Sequence, residues 1–164
     1  MSVLEDTYLV RQVYPYAANV KKRLVKTPKI YIRDSGLLHA LLRISSPERL
    51  FGRPIIGASY EGWVIEQICT ALSPGEIRPY FYRTHAGAEI DLVLDTSSAR
   101  IPVEIKHTLA PKPSRGFFEA VKDLGCEGGF IVYPGKERYP LGNGIEAIPL
   151  NLLIEELMQG HAGS

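Results

Sequence analysis

The sequence lacks the features that would direct a protein into or across a membrane. Among its 164 residues, no uncharged apolar run approaches the roughly 20 residues that a membrane-spanning helix needs. The amino terminus has no basic stretch followed by an apolar segment, so we expect a cytoplasmic protein. Only two cysteines are present, Cys69 and Cys126, and they lack CxxC spacing. A zinc site or a disulfide scaffold is therefore not expected.

Phosphate-binding loops are missing as well, since no Gly-rich stretch precedes Lys-Ser or Lys-Thr. We therefore expect no ATP site of the Walker A type in this chain. What is present is an average globular composition, with 45% hydrophobic and 23% charged residues and no internal repeat. This composition predicts a compact domain rather than a disordered or fibrous chain.

Charge is divided unevenly along the chain despite the overall value of +1. Residues 1–45 carry eight basic and three acidic side chains, a net charge of +5, whereas residues 46–164 have a net charge of −4. A dense basic run suits contacts with the phosphates of a polyanion, and it is equally typical of a solvated hairpin tip. The residues of this run are Lys21, Lys22, Arg23, Lys26 and Lys29.

The pattern of apolar and turn residues predicts an α/β fold with a mixed β-sheet flanked by helices. We divide the chain into a basic hairpin with a linker helix, residues 1–45, and a second part, residues 46–164. Strands are predicted at 8–14, 29–33, 77–83, 89–95, 101–107, 128–133 and 145–148. Helices are predicted at 36–42, 58–72, 114–124 and 150–158, with a further helical turn from Ser45 and stops at Pro74 and Gly75.

The predicted helix 58–72 carries a glutamate in the middle of its apolar face. Glu61 lies on the arc formed by Val64, Ile65 and Ile68, so its carboxylate must reach solvent or find a partner. This makes Glu61 a candidate site residue. Alternatively, it is a favourable charge in the first helical turn. Glu66 lies on the other side, where we expect an ordinary surface residue.

Two neighbouring strands carry a second set of charged residues. Glu104 and Lys106 share one face of their strand. A turn near residues 97–98 pairs residues whose numbers sum to about 195, which places Asp91 opposite Glu104. Facing carboxylates are destabilising unless a proton or a cation lies between them, so we expect a site for Mg²⁺ or Mn²⁺. Alternatively, Glu104 and Lys106 form a solvent-facing ion pair of small energy.

On the same alternation, Glu89 and Asp91 are expected on one face of their strand. The apolar residues Ile90, Leu92 and Leu94 are expected on the other.

The order of these residues resembles the PD-(D/E)xK nuclease superfamily, in the form with an added helix glutamate found in Holliday-junction resolvases. Glu61 stands on a helix, Asp91 on a strand and Glu104-Ile105-Lys106 on the next strand. Ile90 stands where the superfamily has its proline. Longer segments resemble the C-terminal region of prokaryotic AAA+ ATPases that end in a nuclease-like domain of unknown function. These segments are KTPKIYIRDSGLLHAL, GASYEGWVIEQI, YFYRTHAGAEIDLVL, PVEIKHT and GFIVYPGKERYPL.

This resemblance covers roughly residues 8–150 and implies a restriction-endonuclease-like core. The preceding β-hairpin would be the wing of a winged-helix linker, and the ATPase domain would be missing from this chain. Related nucleases often act as dimers, so a homodimer is one expectation.

The resemblance also implies a reaction, the metal-dependent hydrolysis of DNA phosphodiester bonds. Asp91 and Glu104 would coordinate Mg²⁺ or Mn²⁺ with the backbone carbonyl of Ile105. Lys106 would orient the attacking water, and Glu61 would bind a second metal or a metal-bound water.

The basic hairpin would contact the DNA backbone through Lys21, Lys22, Arg23 and Lys26. Arg83 and His85 are further candidates for substrate contact, and turn formation and surface packing are the alternative for both. His107 is expected on the face opposite Lys106, in a structural position. The exposed Trp63 is a candidate interface residue.

Two other functions fit the same residues. One is a catalytically inactive module with the nuclease fold that binds DNA or a protein partner for the ATPase. The negative charge of residues 46–164 favours this module, because DNA-cleaving domains usually present a basic groove. The other is an unrelated α/β domain with surface ion pairs, whose thermal unfolding Mn²⁺ would not change.

Overall fold

The computed structural model describes residues 3–18, 20–72, 77–96 and 99–161. The strands are β1 (Val10–Pro15), β2 (Lys29–Ile32), β3 (Arg78–Arg83), β4 (Glu89–Asp95), β5 (Arg100–Ile105), β6 (Gly129–Tyr133), β7 (Tyr139–Gly142) and β8 (Ile145–Pro149). The helices are α1 (Val3–Asp6), α2 (Ser35–Leu41), α3 (Pro47–Phe51), α4 (Ile55–Ala71), α5 (Arg115–Asp123) and α6 (Leu150–His161). The strands form one mixed sheet in the order β2-β1-β3-β4-β5-β6-β8-β7. The predicted α/β fold with a mixed sheet flanked by helices is confirmed.

Among the described helices, none is long and apolar enough to cross a membrane.

The predicted N-terminal hairpin is confirmed, and it forms one edge of the sheet. Strand β1 pairs antiparallel with β2 and parallel with β3. The loop between β1 and β2 then runs back along the end of β3, where Leu24 forms a bridge with Thr84. The hairpin therefore shares a sheet with β4 and β5, and the division into residues 1–45 and 46–164 stays a prediction.

Two apolar clusters cover the two faces of the sheet. One packs α4 and α6 against the strands and includes Val64 and Leu153, whereas the other packs α5 through Phe117. The neighbouring β6 residues Ile131 and Val132 belong to different clusters, as alternation along a strand requires. Helices α4 and α5 therefore lie on opposite faces.

Local sequence signals place most helix ends correctly. The side chain of Asp34 accepts a hydrogen bond from the Leu37 backbone N and caps α2, and Ser114 caps α5 in the same way. Helix α4 starts three residues earlier than predicted, directly after Pro54. The predicted stop at Pro74 and Gly75 lies outside the described residues, as does the turn at 97–98.

Two short elements were not predicted. Helix α1 has only four residues, and Pro140 interrupts the strand pattern of β7. Strand β7 lies at the edge of the sheet, where a proline is tolerated because no ladder hydrogen bond is lost on the open side.

The predicted register between β4 and β5 is confirmed over the described ladder. Leu92 pairs with Val103, and Asp95 pairs with Arg100. In both pairs the residue numbers sum to 195, as the turn position predicts.

A β-bulge between β3 and β4 overturns one expectation. Tyr80 pairs with Val93. Two residues further along β3, Tyr82 pairs with Ile90, so one residue of β3 lies opposite two of β4. Because the bulge breaks the alternation, Ile90 packs under α5 whereas Leu92 packs under α4. The prediction that they share a face was wrong.

Candidate functional site

Asp91 is the third residue of β4; it lies next to the bulge and contacts β5. Its Oδ2 atom accepts a hydrogen bond from the backbone N of Ile105 over 2.9 Å. Ile105 stands between Glu104 and Lys106 in the sequence. This bond therefore brings the Asp91 carboxylate to the strand segment that carries the other two predicted site residues.

Glu104 is buried, with 5% of its surface exposed. Its Oε1 atom lies 2.8 Å from the Lys106 ammonium, and its Oε2 atom accepts a hydrogen bond from the Ser114 backbone N. A buried carboxylate requires such partners. Glu104 thus anchors the start of α5, and the Glu104–Lys106 ion pair is half-buried rather than solvent-facing.

Glu61 projects from α4 toward strand β2. Its Oε1 atom accepts a hydrogen bond from the Tyr31 hydroxyl over 2.5 Å and from the Lys29 ammonium over 3.1 Å. Burial and the nearby Glu61 carboxylate raise the pKa of Tyr31, which keeps this hydroxyl protonated as a donor. Sequence reasoning did not include Tyr31 or Lys29 among the site residues. The available signal was their spacing of two, which puts both on one face of β2.

Lys29 joins the two halves of the candidate site. Its ammonium lies 3.1 Å from Glu61, 3.2 Å from Glu89 and 3.6 Å from Asp91. Burial lowers the pKa of Lys29, but the three carboxylates more than offset this effect and raise it overall. The cation that the carboxylates require is supplied here by a side chain of the N-terminal hairpin.

The cluster keeps an excess of negative charge, because three carboxylates face one ammonium. Burial and the charge of Glu61 raise the pKa of Asp91 to about 6, against the opposing effects of Lys29 and the Ile105 N–H. The carboxylate oxygens of Asp91 and Glu104 are of the type that Mg²⁺ prefers. Among the described residues, no three His, Cys, Asp or Glu side chains are grouped to hold a metal. The metal site stays a prediction.

The predicted nucleic-acid-binding residues are all exposed and lie near one another in the fold. The backbone N of His85 donates to the carbonyl of Arg23, and the backbone N of Val25 donates to the carbonyl of Arg83. We call this region the basic surface; it consists of Lys21, Lys22, Arg23, Lys26, Arg83 and His85.

Two ion pairs tie the basic surface to the rest of the fold. Lys22 pairs with Asp123 of α5 over 2.7 Å. Arg83 lies 3.5 Å from Glu89, which also contacts Lys29. The basic surface therefore adjoins the carboxylate cluster.

The expectation that Glu66 is an ordinary surface residue was wrong. Glu66 is 9% exposed, and its carboxylate lies 2.7 Å from both Arg11 and Arg33. Burial raises the pKa of Glu66, but the hydrogen bonds from the two guanidinium groups more than offset this and lower it. The N-terminal hairpin covers this side of α4, which the helical pattern alone does not reveal.

His107 and Trp63 both contact Tyr60 of α4. His107 packs edge-on to the Tyr60 ring, and Trp63 stacks on it. Trp63 keeps 40% of its surface exposed, as predicted.

Comparison with known proteins defines the family. A model described as a domain of unknown function, DUF4143, matches residues 56–153. The chain belongs to the DUF4143 family. A second model, for a domain of unknown function called DUF8612, matches residues 1–48. No solved structure matches the chain.

Two curated relatives align with most of this chain. Uncharacterized proteins of Mycobacterium tuberculosis and Mycobacterium bovis are each 42% identical to it over 154 residues, which is 94% of this chain. The same alignments cover 34% of each relative. The chain therefore spans about a third of the length of these relatives.

The candidate site extends across both matched segments. Glu61, Asp91, Glu104 and Lys106 lie in the DUF4143 segment, residues 56–153. Lys29 and Tyr31 lie in the DUF8612 segment, residues 1–48, as does most of the basic surface. The Lys29 side chain of the first segment thus offsets part of the negative charge of the carboxylates in the second.

Proposed function

We propose that this chain is a nuclease-fold domain that hydrolyses DNA phosphodiester bonds with Mg²⁺ or Mn²⁺. The observation that supports it best is the hydrogen bond between Asp91 and the Ile105 backbone. This bond holds one carboxylate beside Glu104 and Lys106, in the order typical of the PD-(D/E)xK nucleases that the sequence resembles. The superfamily assignment is part of the proposal.

Each predicted site residue has a role in this proposed reaction. Asp91 and Glu104 would hold the metal through carboxylate oxygens, with the Ile105 carbonyl, and Glu61 would add a third carboxylate. When bound, the metal would polarise the phosphate and activate a water. The ammonium of Lys106 is one-third exposed and would stabilise the negative charge that develops on the phosphate.

The basic surface would supply contacts with the DNA backbone that do not depend on sequence. Its position beside Glu89 supports this role, because a phosphate backbone bound there would pass the carboxylate cluster. The longer relatives leave room for a further domain, and the resemblance favours an AAA+ ATPase that carries the ATP site. We further propose that two copies of this chain form a homodimer.

One observation favours a second candidate function, a catalytically inactive module that binds DNA or a protein partner. Lys29 already supplies a cation to Glu61, Glu89 and Asp91. A fold that holds these carboxylates together with its own lysine has less need of a metal there. The basic surface would then serve binding alone.

Cleavage of labelled single-stranded, duplex and four-way-junction DNA tests the first function. We expect the wild type to cleave with Mg²⁺ or Mn²⁺, and Asp91→Asn and Lys106→Ala to cleave at least about a hundredfold more slowly. Asp91→Asn removes the charge but keeps an oxygen that can accept from Ile105. Matched controls are the exposed Glu155→Gln and Lys136→Ala, which should cleave like the wild type.

Equal cleavage by all five proteins would contradict the assigned site and indicate a contaminant. DNA binding without cleavage by the wild type would favour the inactive module.

Replacement of Lys29 separates the two functions further. In EDTA, Lys29→Met leaves Glu61 and Asp91 without their cation, and we expect it to lower the free energy of unfolding by about 1–3 kcal/mol. If the site binds a metal, Mn²⁺ should raise the melting temperature of Lys29→Met more than that of the wild type. Thermal unfolding with and without Mn²⁺ measures this, with Lys136→Met as the control. An unchanged melting temperature in both proteins would argue against a metal site.

A further inference from the structure

Four aromatic side chains form a continuous row on the surface beside the candidate site. We call it the aromatic row; it runs Phe51, His107, Tyr60, Trp63. The ring centroids are 6.2 Å apart for Phe51–His107, 5.1 Å for His107–Tyr60 and 5.9 Å for Tyr60–Trp63. The row connects the end of α3, the segment after β5 and one side of α4.

Tyr60 is partly buried against the core, whereas the two ends of the row lie at the surface. Phe51 is 65% exposed and Trp63 is 40% exposed. Scattered exposed aromatic residues are common, but four in mutual contact form an apolar surface that solvent does not favour. The row therefore offers a face for a flat apolar ligand.

The row lies on the same two segments of the chain as the candidate site. His107 directly follows Lys106, and Tyr60 directly precedes Glu61. Beyond Trp63, a cavity of about 490 Å³ continues the same surface, with Gln67 and Asn151 as its polar lining residues.

Exposed cations near the row favour an anionic ligand. Arg49 and Arg53 are both exposed and lie on either side of Phe51 in the sequence. Exposed rings with guanidinium groups nearby are typical of surfaces that bind single-stranded nucleic acid, because each base has a face that stacks and each phosphate needs a cation. Bases in a duplex are already stacked and cannot reach the rings.

We propose that the aromatic row binds the unpaired bases of single-stranded DNA, so that the preferred substrates carry a single-stranded segment next to the cleaved bond. The choice of substrate rests on the proposed nuclease function, whereas the binding itself does not require catalysis.

Trp63 makes the binding directly measurable, because it is the only tryptophan in the chain. We would titrate the full chain with a mixed-sequence single strand and with the corresponding duplex, in EDTA, and record tryptophan fluorescence. The single strand should quench Trp63 and bind more tightly than the duplex. Phe51→Leu, which keeps an apolar side chain but removes the ring, should weaken binding of the single strand by about fivefold or more.

Controls separate this proposal from the nuclease function. Leu109→Ala changes an apolar residue outside the row that is even more exposed than Phe51, and it should bind like the wild type. Asp91→Asn should also bind the single strand, so a loss of cleavage alone would leave the row's role intact. Absence of quenching, or equal affinity of Phe51→Leu and the wild type for the single strand, would overturn the proposal and favour a protein partner for this face.

Discussion

Glu66→Ala should lower the free energy of unfolding by about 2–4 kcal/mol. The substitution removes the carboxylate that holds Arg11 and Arg33, and it leaves two guanidinium groups largely buried without their charge partner. Removing one member of such an ion-pair group lowers the free energy of unfolding by more than the whole group contributes to it, because the remaining charges stay partly desolvated. Since Arg11 lies on β1 and Arg33 directly follows β2, the loss should loosen the N-terminal hairpin from α4.

Urea unfolding of the wild type, Glu66→Ala and Glu66→Gln measures this effect. Glu66→Gln keeps hydrogen-bond acceptors and should lie between the other two. The matched control is Glu119→Ala, which breaks an exposed pair with Arg115 and should change stability by about 0.5 kcal/mol or less. If Glu66→Ala were as stable as this control, the contacts of Glu66 would not hold the hairpin.

Asp91→Asn should stabilise the fold at neutral pH, and the gain should grow as the pH rises. Burial and the Glu61 charge raise the pKa of Asp91 to about 6 in the folded protein, whereas the unfolded chain keeps its ordinary value. The folded state therefore holds a proton that the unfolded state releases between about pH 4 and pH 6. This proton stabilises the folded state by its full amount below pH 4, and the stabilisation is lost as the pH rises through 6.

Asparagine does not titrate, so the advantage of Asp91→Asn over the wild type should be below about 1 kcal/mol at pH 4.5 and about 2–3 kcal/mol at pH 7.5. Urea unfolding in EDTA at both pH values measures the difference. The exposed Glu155→Gln should show no such trend. A difference that shrinks with rising pH would mean that Lys29 stabilises the Asp91 carboxylate more than burial destabilises it.

The second prediction describes a carboxylate whose charge destabilises the fold, in contrast to the stabilising carboxylate of Glu66. The Asp91 carboxylate lowers the free energy of unfolding, although an asparagine could accept the hydrogen bond from the Ile105 backbone N equally well. A buried carboxylate that is kept charged at such a cost is typical of functional sites. This supports a role for Asp91 beyond structure in both proposed functions, since a bound cation or a bound partner could relieve the repulsion.

Local patterns in the sequence predict much of the fold and the placement of several site residues. The period of α4 identifies its buried face, and the turn predicted near residues 97–98 gives the register of β4 and β5. These features depend on residues within a few positions of one another. For that reason a single sequence is enough to predict them.

The tertiary structure decided which charges meet. Lys29 reaches Glu61 and Asp91 only because β2, β1 and β3 pair side by side in one sheet, and Glu66 becomes buried only because the same hairpin covers α4. The bulge that turns Leu92 toward α4 likewise depends on a neighbouring strand. A helix or strand pattern shows which face a side chain occupies. The charged partners of Glu61 and Glu66 come from distant segments, as the separation of 32 positions between Lys29 and Glu61 shows, and only packing of the whole chain brings them together.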